Sequence, residues 1–529
     1  MTKKILCIVL ALIMMLSVLA GCGGKDNAAD GGAEGGAQGD TAGAEGGVNL
    51  VYGISASWYN FAFYDSPSTH SAMINDVLFE PWAMPGETGL IYRNAESIEV
   101  LDEGMKWIVH LNPNCTWSDG EPVTAEDWVW TYETWTDPSF GIYDSSYASF
   151  LLKGCDASGV RIEGEELGMK AIDEYTLEVQ WTAPQAPDTF FGWYGYYYRA
   201  LPKHILGELS PAEVPTAEYW KNPIGNSWGV FVEEPTTGQV VTFAARENYY
   251  LGELPFDTLT YQVISPENAP NALLNGDIDM YYALNDFETL TGLEGQNGIH
   301  LGMGDGKFDY YTLSINHIRY NANVRYALSL LIDREVLVQA VTYGFGHGIL
   351  DPVVGSGEIE ARDVEKAKQI LIDEGFDFEN TVITIACGAP RQNVATIIQQ
   401  CWAEAGVKSE IRTGETATIF AQAISGEVDC CIMGNAMSYN PTVEESILDP
   451  AATTYGQIQD SKYVDLCYAI DFEEDPAKKE QLIQEYIDVT RAECPYIYLY
   501  AYPTVVPMSA RVDGVTGGTG EAPWTWTVK

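Results

Sequence analysis

Positive charge is scarce in this 529-residue sequence: 28 Lys and Arg stand against 75 Asp and Glu, for a formal charge of −47. Phosphate binding is built on surplus cations, so this balance argues against a nucleic-acid partner and disfavours anionic lipid surfaces. Such acidity keeps a protein soluble and says little about its fold. Histidine is equally sparse. His70, His110, His204, His300, His317 and His347 form no H-E-x-x-H and no i,i+4 pair, which leaves a zinc site unsupported. Neither Gly24-Lys25 nor Gly306-Lys307 is followed by Ser or Thr in a phosphate-cradling frame, so no cofactor is expected. Ten cysteines include no C-x-x-C pair. With Cys7 in a leader and Cys22 modified, eight thiols remain: Cys115, Cys155, Cys387, Cys401, Cys430, Cys431, Cys467 and Cys494. Their irregular spacing fits free buried thiols as well as it fits bridges.

Long apolar runs are also missing after the first twenty residues. The one present, Ile5 to Ala20 behind Lys3 and Lys4, has the form of a secretory signal and is shorter than the roughly 20 residues a spanning helix needs. It closes on Leu19-Ala20-Gly21-Cys22, which reads as a lipobox. Residues 1–21 are therefore predicted to be a lipoprotein signal peptide and Cys22 a lipidated N-terminus on the outer face of the cell membrane. Residues 22–48 are rich in Gly, Ala and acids, a composition that cannot offset its ordering entropy, and are expected to be a disordered tether.

Beyond the tether, about 480 residues are enough for two or three domains. Met105 to Leu111 alternates as a half-buried strand, and Thr124-Ala125-Glu126-Asp127 has the form of a capping box opening a helix through Trp128 and Tyr132. Leu177–Trp181, Val240–Ala244 and Leu259–Ile264 read as further strands, with a short helix stopped at Gly276, so this half is mixed α+β. From about Lys307 the texture changes. A helix follows Asn323 and another runs from Asp363 to Gly375. Strand 381–386, helix 394–405, strand 407–411, helix 416–425 and strand 428–433 then alternate with short connections, the pattern of a right-handed α/β unit with a parallel sheet. In such sheets ligands sit outside the carboxyl ends of the strands.

Catalytic constellations are absent. Gly225-Asn226-Ser227-Trp228-Gly229 fits G-x-S-x-G, but strand residues follow Ser227 where a nucleophile elbow needs a helix. Asp277 and Asp279 are expected to flank a strand entry. What the chain has in quantity is 32 Tyr and 14 Trp, clustered at Trp58-Tyr59, Trp193 to Tyr198, Tyr310-Tyr311 and Tyr496 to Tyr502. Most belong in the core, yet aromatic faces with polar tips also suit a site for extended solutes.

Taken in order, these segments resemble the extracytoplasmic solute-binding proteins of ABC transporters, family 5, which includes oligopeptide and dipeptide binders. The strongest block is Trp107-Ile108-Val109-His110-Leu111 leading to Trp117-Ser118-Asp119-Gly120-Glu121-Pro122-Val123-Thr124-Ala125-Glu126-Asp127. Support comes from Leu201-Pro202-Lys203-His204, Asn275-Gly276-Asp277, Val324-Arg325-Tyr326-Ala327-Leu328 and Ile332-Asp333-Arg334-Glu335. The resemblance implies an α/β, periplasmic-binding-protein-like two-lobed fold of type II, in its large three-domain form, with a hinge and an inter-lobe cleft. Domain I would comprise 49–79, 196–306 and 495–529, domain II 80–195, and domain III 307–494. It implies a monomer with no enzymatic activity, which captures a solute by lobe closure and delivers it to permease subunits driven by cytoplasmic ATPases.

Peptide binders of this family typically hold the ligand's ammonium with an aspartate in the loop that is here Gly434 to Pro441, and this loop has no carboxylate. Oligopeptides or dipeptides remain the first expectation. The alternative is an oligosaccharide or other uncharged solute; a lipid-anchored hydrolase or a surface receptor is the reading from a different class. The residues expected at the ligand are Trp58, Tyr59, Tyr310 and Tyr311 as stacking surfaces. From the 434–441 loop they are Asn435, Met437, Ser438, Tyr439 and Asn440.

Overall fold

The structure is a computed structural model. It describes residues 47–529 apart from 59–60, 66–67, 87–88, 143–150, 194, 196–197, 235–237, 283, 285, 438–447, 451–453, 474 and 518–519; at 65, 86, 193, 304–308 and 436–437 it describes the backbone alone. The signal peptide, Cys22 and the tether before Gly47 lie outside the described residues.

Helix starts follow the side chains available to cap them. Asp127 accepts from both the amide (2.8 Å) and the hydroxyl (2.9 Å) of Thr124 at the head of helix Ala125–Trp135. Its other oxygen takes the Lys203 amide at 2.9 Å, tying two segments together. Asp333 and Asp363 are themselves the N-caps of helices Arg334–Thr342 and Val364–Asp373, accepting from the amides of Val336 and Lys366. Helix Ala322–Leu330 begins two residues earlier than the apolar spacing predicts. Asn321 is the cap, accepting from Val324 N at 3.0 Å, while Asn323 turns outward to Glu374.

One 11-stranded sheet runs through the molecule. In chain order its strands are β1 (Asn49–Ile54), β2 (Gly229–Phe231), β3 (Val240–Ala245), β4 (Thr258–Val263), β5 (Met280–Tyr281) and β6 (His300–Ile315). They continue as β7 (His347–Gly348), β8 (Val382–Gly388), β9 (Lys408–Gly414), β10 (Cys430–Met437) and β11 (Tyr496–Met508). The spatial order is β9-β8-β10-β6-β11-β5-β1-β4-β3-β2, with β7 also on β11. At one end β1 pairs in parallel with β4 and β5. At the other, β8 pairs in parallel with β9 and β10, and helices Gln392–Glu404 and Thr416–Ile424 supply the crossovers. These two ends are the cores of two lobes.

Among the described residues, β6 and β11 are the only strands of the sheet that belong to both. His300–Met303 pairs with Val505–Met508 in the first lobe, and Phe308–Ser314 pairs with Tyr496–Pro503 in the second. Between the pairs Met303–Val505 and Phe308–Pro503, β6 carries Gly304 to Lys307 where β11 carries Thr504 alone.

The first lobe also holds a four-stranded antiparallel sheet, in spatial order Ala95–Leu101, Lys106–Leu111, Thr176–Gln180, Met169–Asp173, packed with helix Ala125–Trp135. The G-x-S-x-G segment joins this part to the main sheet. A Cβ at Gly225 would lie 1.8 Å from the Leu78 carbonyl oxygen, so only glycine fits there. Ser227 donates to Asp76 O (2.6 Å) and to the buried Glu80 (3.0 Å), and Asn226 accepts the Glu80 amide at 2.8 Å. Burial raises the Glu80 carboxyl above its usual range. Ser227 is thus a strut of the fold. Asp279 serves similarly, accepting from Val51 N at 2.9 Å and pairing with Arg511 at 2.9 Å at the entry to β5. The eight cysteines of the described residues are buried and form no disulfide.

Candidate functional site

The carboxyl ends of the parallel strands in both lobes face the place where β6 and β11 cross. β5 ends at Tyr281 beside a β11 that runs the opposite way from Met508. β10 ends at Met437, opposite Phe308, which is in turn opposite Pro503. The two edges therefore flank residues 503–505, and outside such edges ligands of parallel sheets are held.

On the first-lobe edge, Ser55 Oγ lies 2.9 Å from His70 Nε2, and the His70 ring meets Tyr282 edge-on at 5.9 Å. Burial holds the His70 pKa below its ordinary value, favouring the neutral ring. The Tyr282 hydroxyl is pushed up to about 12, first by burial and then by the charges of Asp309 and Glu521. Trp58 is 6% exposed and packs near Phe61, ring centroids 6.4 Å apart.

The second-lobe edge carries a tyrosine stack. Tyr311 stacks on Tyr500 at 5.1 Å and on Tyr502 at 6.1 Å, with Tyr500 and Tyr502 6.2 Å apart. Gly434 lies opposite Tyr311 in the ladder, and a Cβ there would come 3.2 Å from the Tyr311 ring. The Arg391 guanidinium, just past the carboxyl end of β8, sits 5.1 Å from the Tyr311 ring centroid, within cation–π range. Among the described residues it makes no hydrogen bond or ion pair. Phe287 of the first lobe's helix Phe287–Leu293 meets Tyr502 edge-on at 5.3 Å and Phe345 face-on at 5.5 Å, so aromatic contact already joins the lobes beside the crossing.

The neighbours Tyr310 and Tyr311 point to opposite faces of the sheet. Tyr310 is fully buried and stacks with Tyr498 at 6.0 Å, behind the edge that Tyr311 presents. Asn435 faces Tyr310 in register, half-buried, and its Nδ2 has no hydrogen-bond partner among the described residues. Met437 is the last residue of β10. Tyr59, Ser438, Tyr439 and Asn440 lie outside the described residues.

Sequence reasoning missed Arg391, Tyr500, Tyr502, Asp309 and Tyr282 as site residues. The Tyr496–Tyr502 cluster was visible, but strict alternation would put Tyr498, Tyr500 and Tyr502 on one face. A register shift at Leu499 intervenes: Thr312 is opposite Tyr498 while Tyr311 is opposite Tyr500. This one-residue bulge turns Tyr500 and Tyr502 onto the face of Tyr311, as bulges re-aim side chains elsewhere.

Known proteins share this architecture. The chain is 26% identical over 379 residues to the oligopeptide-binding protein AppA of Bacillus subtilis, covering 66% of each chain. It is 25% identical over 371 residues to the periplasmic oligopeptide-binding protein OppA of Salmonella typhimurium, covering 63% of this chain and 64% of that one. The alignments thus span a little under two thirds of these relatives' lengths. Among solved structures, AppA of Bacillus subtilis with a nonapeptide superposes over 91% of this chain and 99% of its own, with a TM-score of 0.62 at 20% identity. The murein tripeptide-binding protein MppA in its unliganded open form superposes over 91% of this chain and 98% of its own, with a TM-score of 0.76 at 18% identity. These superpositions bear out the expected two-lobed fold. The sequence pattern of bacterial extracellular solute-binding proteins, family 5, matches residues 90–454. With most of its length inside that match, the chain belongs to family 5 of the bacterial extracellular solute-binding proteins.

Proposed function

We propose that this chain is the lipid-anchored, extracytoplasmic binding component of an ABC importer for peptides. The lobes close on the peptide at the crossing of β6 and β11, and the loaded protein is handed to permease subunits powered by separate ATPases. The named relatives include oligopeptide-binding proteins, which supports the substrate class. One observation on this chain carries it: Arg391 lies against the Tyr311 stack with no acid paired to it among the described residues, as a ligand carboxylate would require. An uncharged sugar would use the rings and leave that guanidinium without a counter-charge.

In this reading the first lobe is domain I (49–79, 196–306, 495–529) with domain II (80–195), and the second is domain III (307–494). Tyr311, Tyr59, Tyr439, Met437, Ser438 and Asn440 contact the solute. Trp58, Tyr310 and Asn435 form the wall behind them. Closure is a population shift, driven only as far as the ligand contacts both lobes better together than apart. Lipid on Cys22 keeps the protein at the membrane as a monomer, and no helix among the described residues is long and apolar enough to cross it.

Mass spectrometry of the protein isolated from its own cells tests both parts. Peptide released on unfolding, together with an N-terminal fragment bearing lipid mass on Cys22, is the expected result. A glycan in place of peptide removes the substrate reading, and an unmodified Cys22 removes the anchor.

A further inference from the structure

Gly514 to Gly520 holds four glycines in seven residues, and neither the main sheet nor the tyrosine stack accounts for them. The chain leaves β11 at Met508, turns, and comes back on itself: Val512 and Asp513 pair with Val528 and Thr527, and Lys529 N donates to Arg511 O at 2.9 Å. Between these two short strands Glu521 braces the backbone, accepting from the amides of Thr516 (3.1 Å) and Gly517 and from the Trp526 indole at 3.3 Å. The same segment is anchored to the first lobe. Asp76 of helix Thr69–Leu78 takes the Gly520 amide at 2.8 Å, and the buried Arg93 donates to the Gly520 carbonyl at 3.1 Å.

So held, the segment reaches the crossing. Gly517 has φ +83°, and a Cβ there would lie 2.6 Å from Val506 Cγ2, 2.9 Å from Thr504 Cγ2 and 3.6 Å from the Tyr282 ring. No side chain fits against the first two unless β11 shifts. The Val515 carbonyl oxygen approaches β6 just as closely, 2.7 Å from where a Cβ on Gly302 would stand. Gly302 and Val506 are partners in the first-lobe ladder, but Thr504 is the one residue of β11 between the ladders of the two lobes. Rotation of the lobes has to be absorbed in backbone dihedrals at Thr504 and in the facing residues 304–307. Thr504 is β-branched and stiff at χ1, so its methyl turns with the backbone, against a wall that belongs to the first lobe alone.

We propose that residues 514–517, braced by Glu521, are a stop for the hinge: Gly517 seats the Thr504 methyl and limits how far the lobes rotate about the crossing of β6 and β11. The segment after β11 thereby sets the range of lobe positions sampled without ligand, and with it the fraction of the protein ready to close on one. The inference rests on the reading that the lobes move, and not on what they bind.

The test reads the distance between lobes in the purified, ligand-free protein by electron paramagnetic resonance. Spin labels go on Glu133→Cys of helix Ala125–Trp135 and Lys368→Cys of helix Val364–Asp373, both exposed positions, while the native thiols of the described residues are buried. Thr504→Ser, which removes only the methyl facing Gly517, should broaden the distance distribution; Thr504→Val, which keeps that methyl, should match the wild type. Glu521→Ala should broaden it as Thr504→Ser does, and Glu521→Gln, whose amide oxygen still accepts from both backbone amides, should not. Gly517→Ala should shift the mean distance, and adding Thr504→Ser should reduce that shift, which general strain in the loop would not explain. Thr504→Ser is conservative at a half-buried position and keeps the test decisive if Glu521→Ala fails to fold. Asp471→Ala is the control, since it cuts a contact between the lobes in which Thr189 Oγ1 donates to Asp471 at 2.7 Å. Broadening in Asp471→Ala but not in Thr504→Ser overturns the stop and leaves lobe movement standing. An unchanged distribution in every variant overturns the stop and lobe closure together.

Discussion

The two lobes share a sheet but are packed by different means. The first is filled with rings: Trp107 alone meets Trp181 at 4.8 Å, Phe190 at 5.1 Å and Phe191 at 6.4 Å, and its indole N–H donates to Gln185 O at 3.0 Å. The second is filled with Leu, Ile, Val and Ala, with Trp402 as the one tryptophan of its main core cluster. Where its chain returns irregularly it is stapled by buried guanidinium groups. Arg334 donates to Ile349 O, to Tyr498 O and to both oxygens of Ser329, and Arg325 donates to the carbonyls of Tyr320, Glu493 and Cys494. Large rings fill the first lobe's core with few rotamers to freeze.

The largest perturbation of this contrast should come from Trp107→Ala, which empties the centre of the first lobe and should cost roughly 3–5 kcal/mol. Scanning calorimetry should show a first-lobe transition moving down while the second holds. A single transition shifting as a whole would mean that the lobes unfold as one unit and that their different packing has no separate thermodynamic expression. Arg334→Met comes next. It keeps the volume but leaves the carbonyls of Ile349, Tyr498 and Ser329 without their donor, a loss of about 2–3 kcal/mol that should lower the second-lobe transition alone. Equal loss in both lobes would show that the staple acts through β11 on the whole sheet.

The smallest effect on stability concerns the contacts between lobes. Thr189 Oγ1 donates to Asp471 at 2.7 Å, and Lys479 pairs with Asp188 at 3.2 Å, joining helix Pro187–Trp193 to helices Lys462–Asp471 and Pro476–Glu493. Partly exposed pairs are worth about 0–1 kcal/mol. Asp471→Ala should therefore barely move the melting temperature but enlarge the ligand-free protein in small-angle scattering. An unchanged radius would show that these contacts do not restrain opening.

Periodic parts of the chain were legible in the sequence because burial repeats there at a fixed interval. Trp107, Val109 and Leu111 are buried on one face of their strand, and Thr124 with Asp127 opens its helix, as alternation and the capping box predict. The β8-helix-β9-helix-β10 unit is equally readable, although β10 runs on to Met437, four residues beyond the apolar stretch that ends at Met433. The site was harder to see. Tyr311 is a candidate that the sequence names and its stacking partners Tyr500 and Tyr502 are not, because a bulge at Leu499 breaks the period that assigns a face. Arg391 gave no local signal at all: what marks it is that it makes no hydrogen bond or ion pair among the described residues, a property of three-dimensional surroundings.

The crossing strands bear on the order in which the protein can be made whole. β11 is the last strand of the sheet to be synthesised, and it supplies a central strand to both lobes. Until residues 496–508 arrive, β5 in the first lobe and β6 in the second each present an unpaired inner edge, the kind of edge that invites misassembly. Neither lobe can be cut out as a continuous stretch and remain complete. A chain truncated before Tyr496 is thus expected to lose both halves of the sheet together rather than to leave one working lobe.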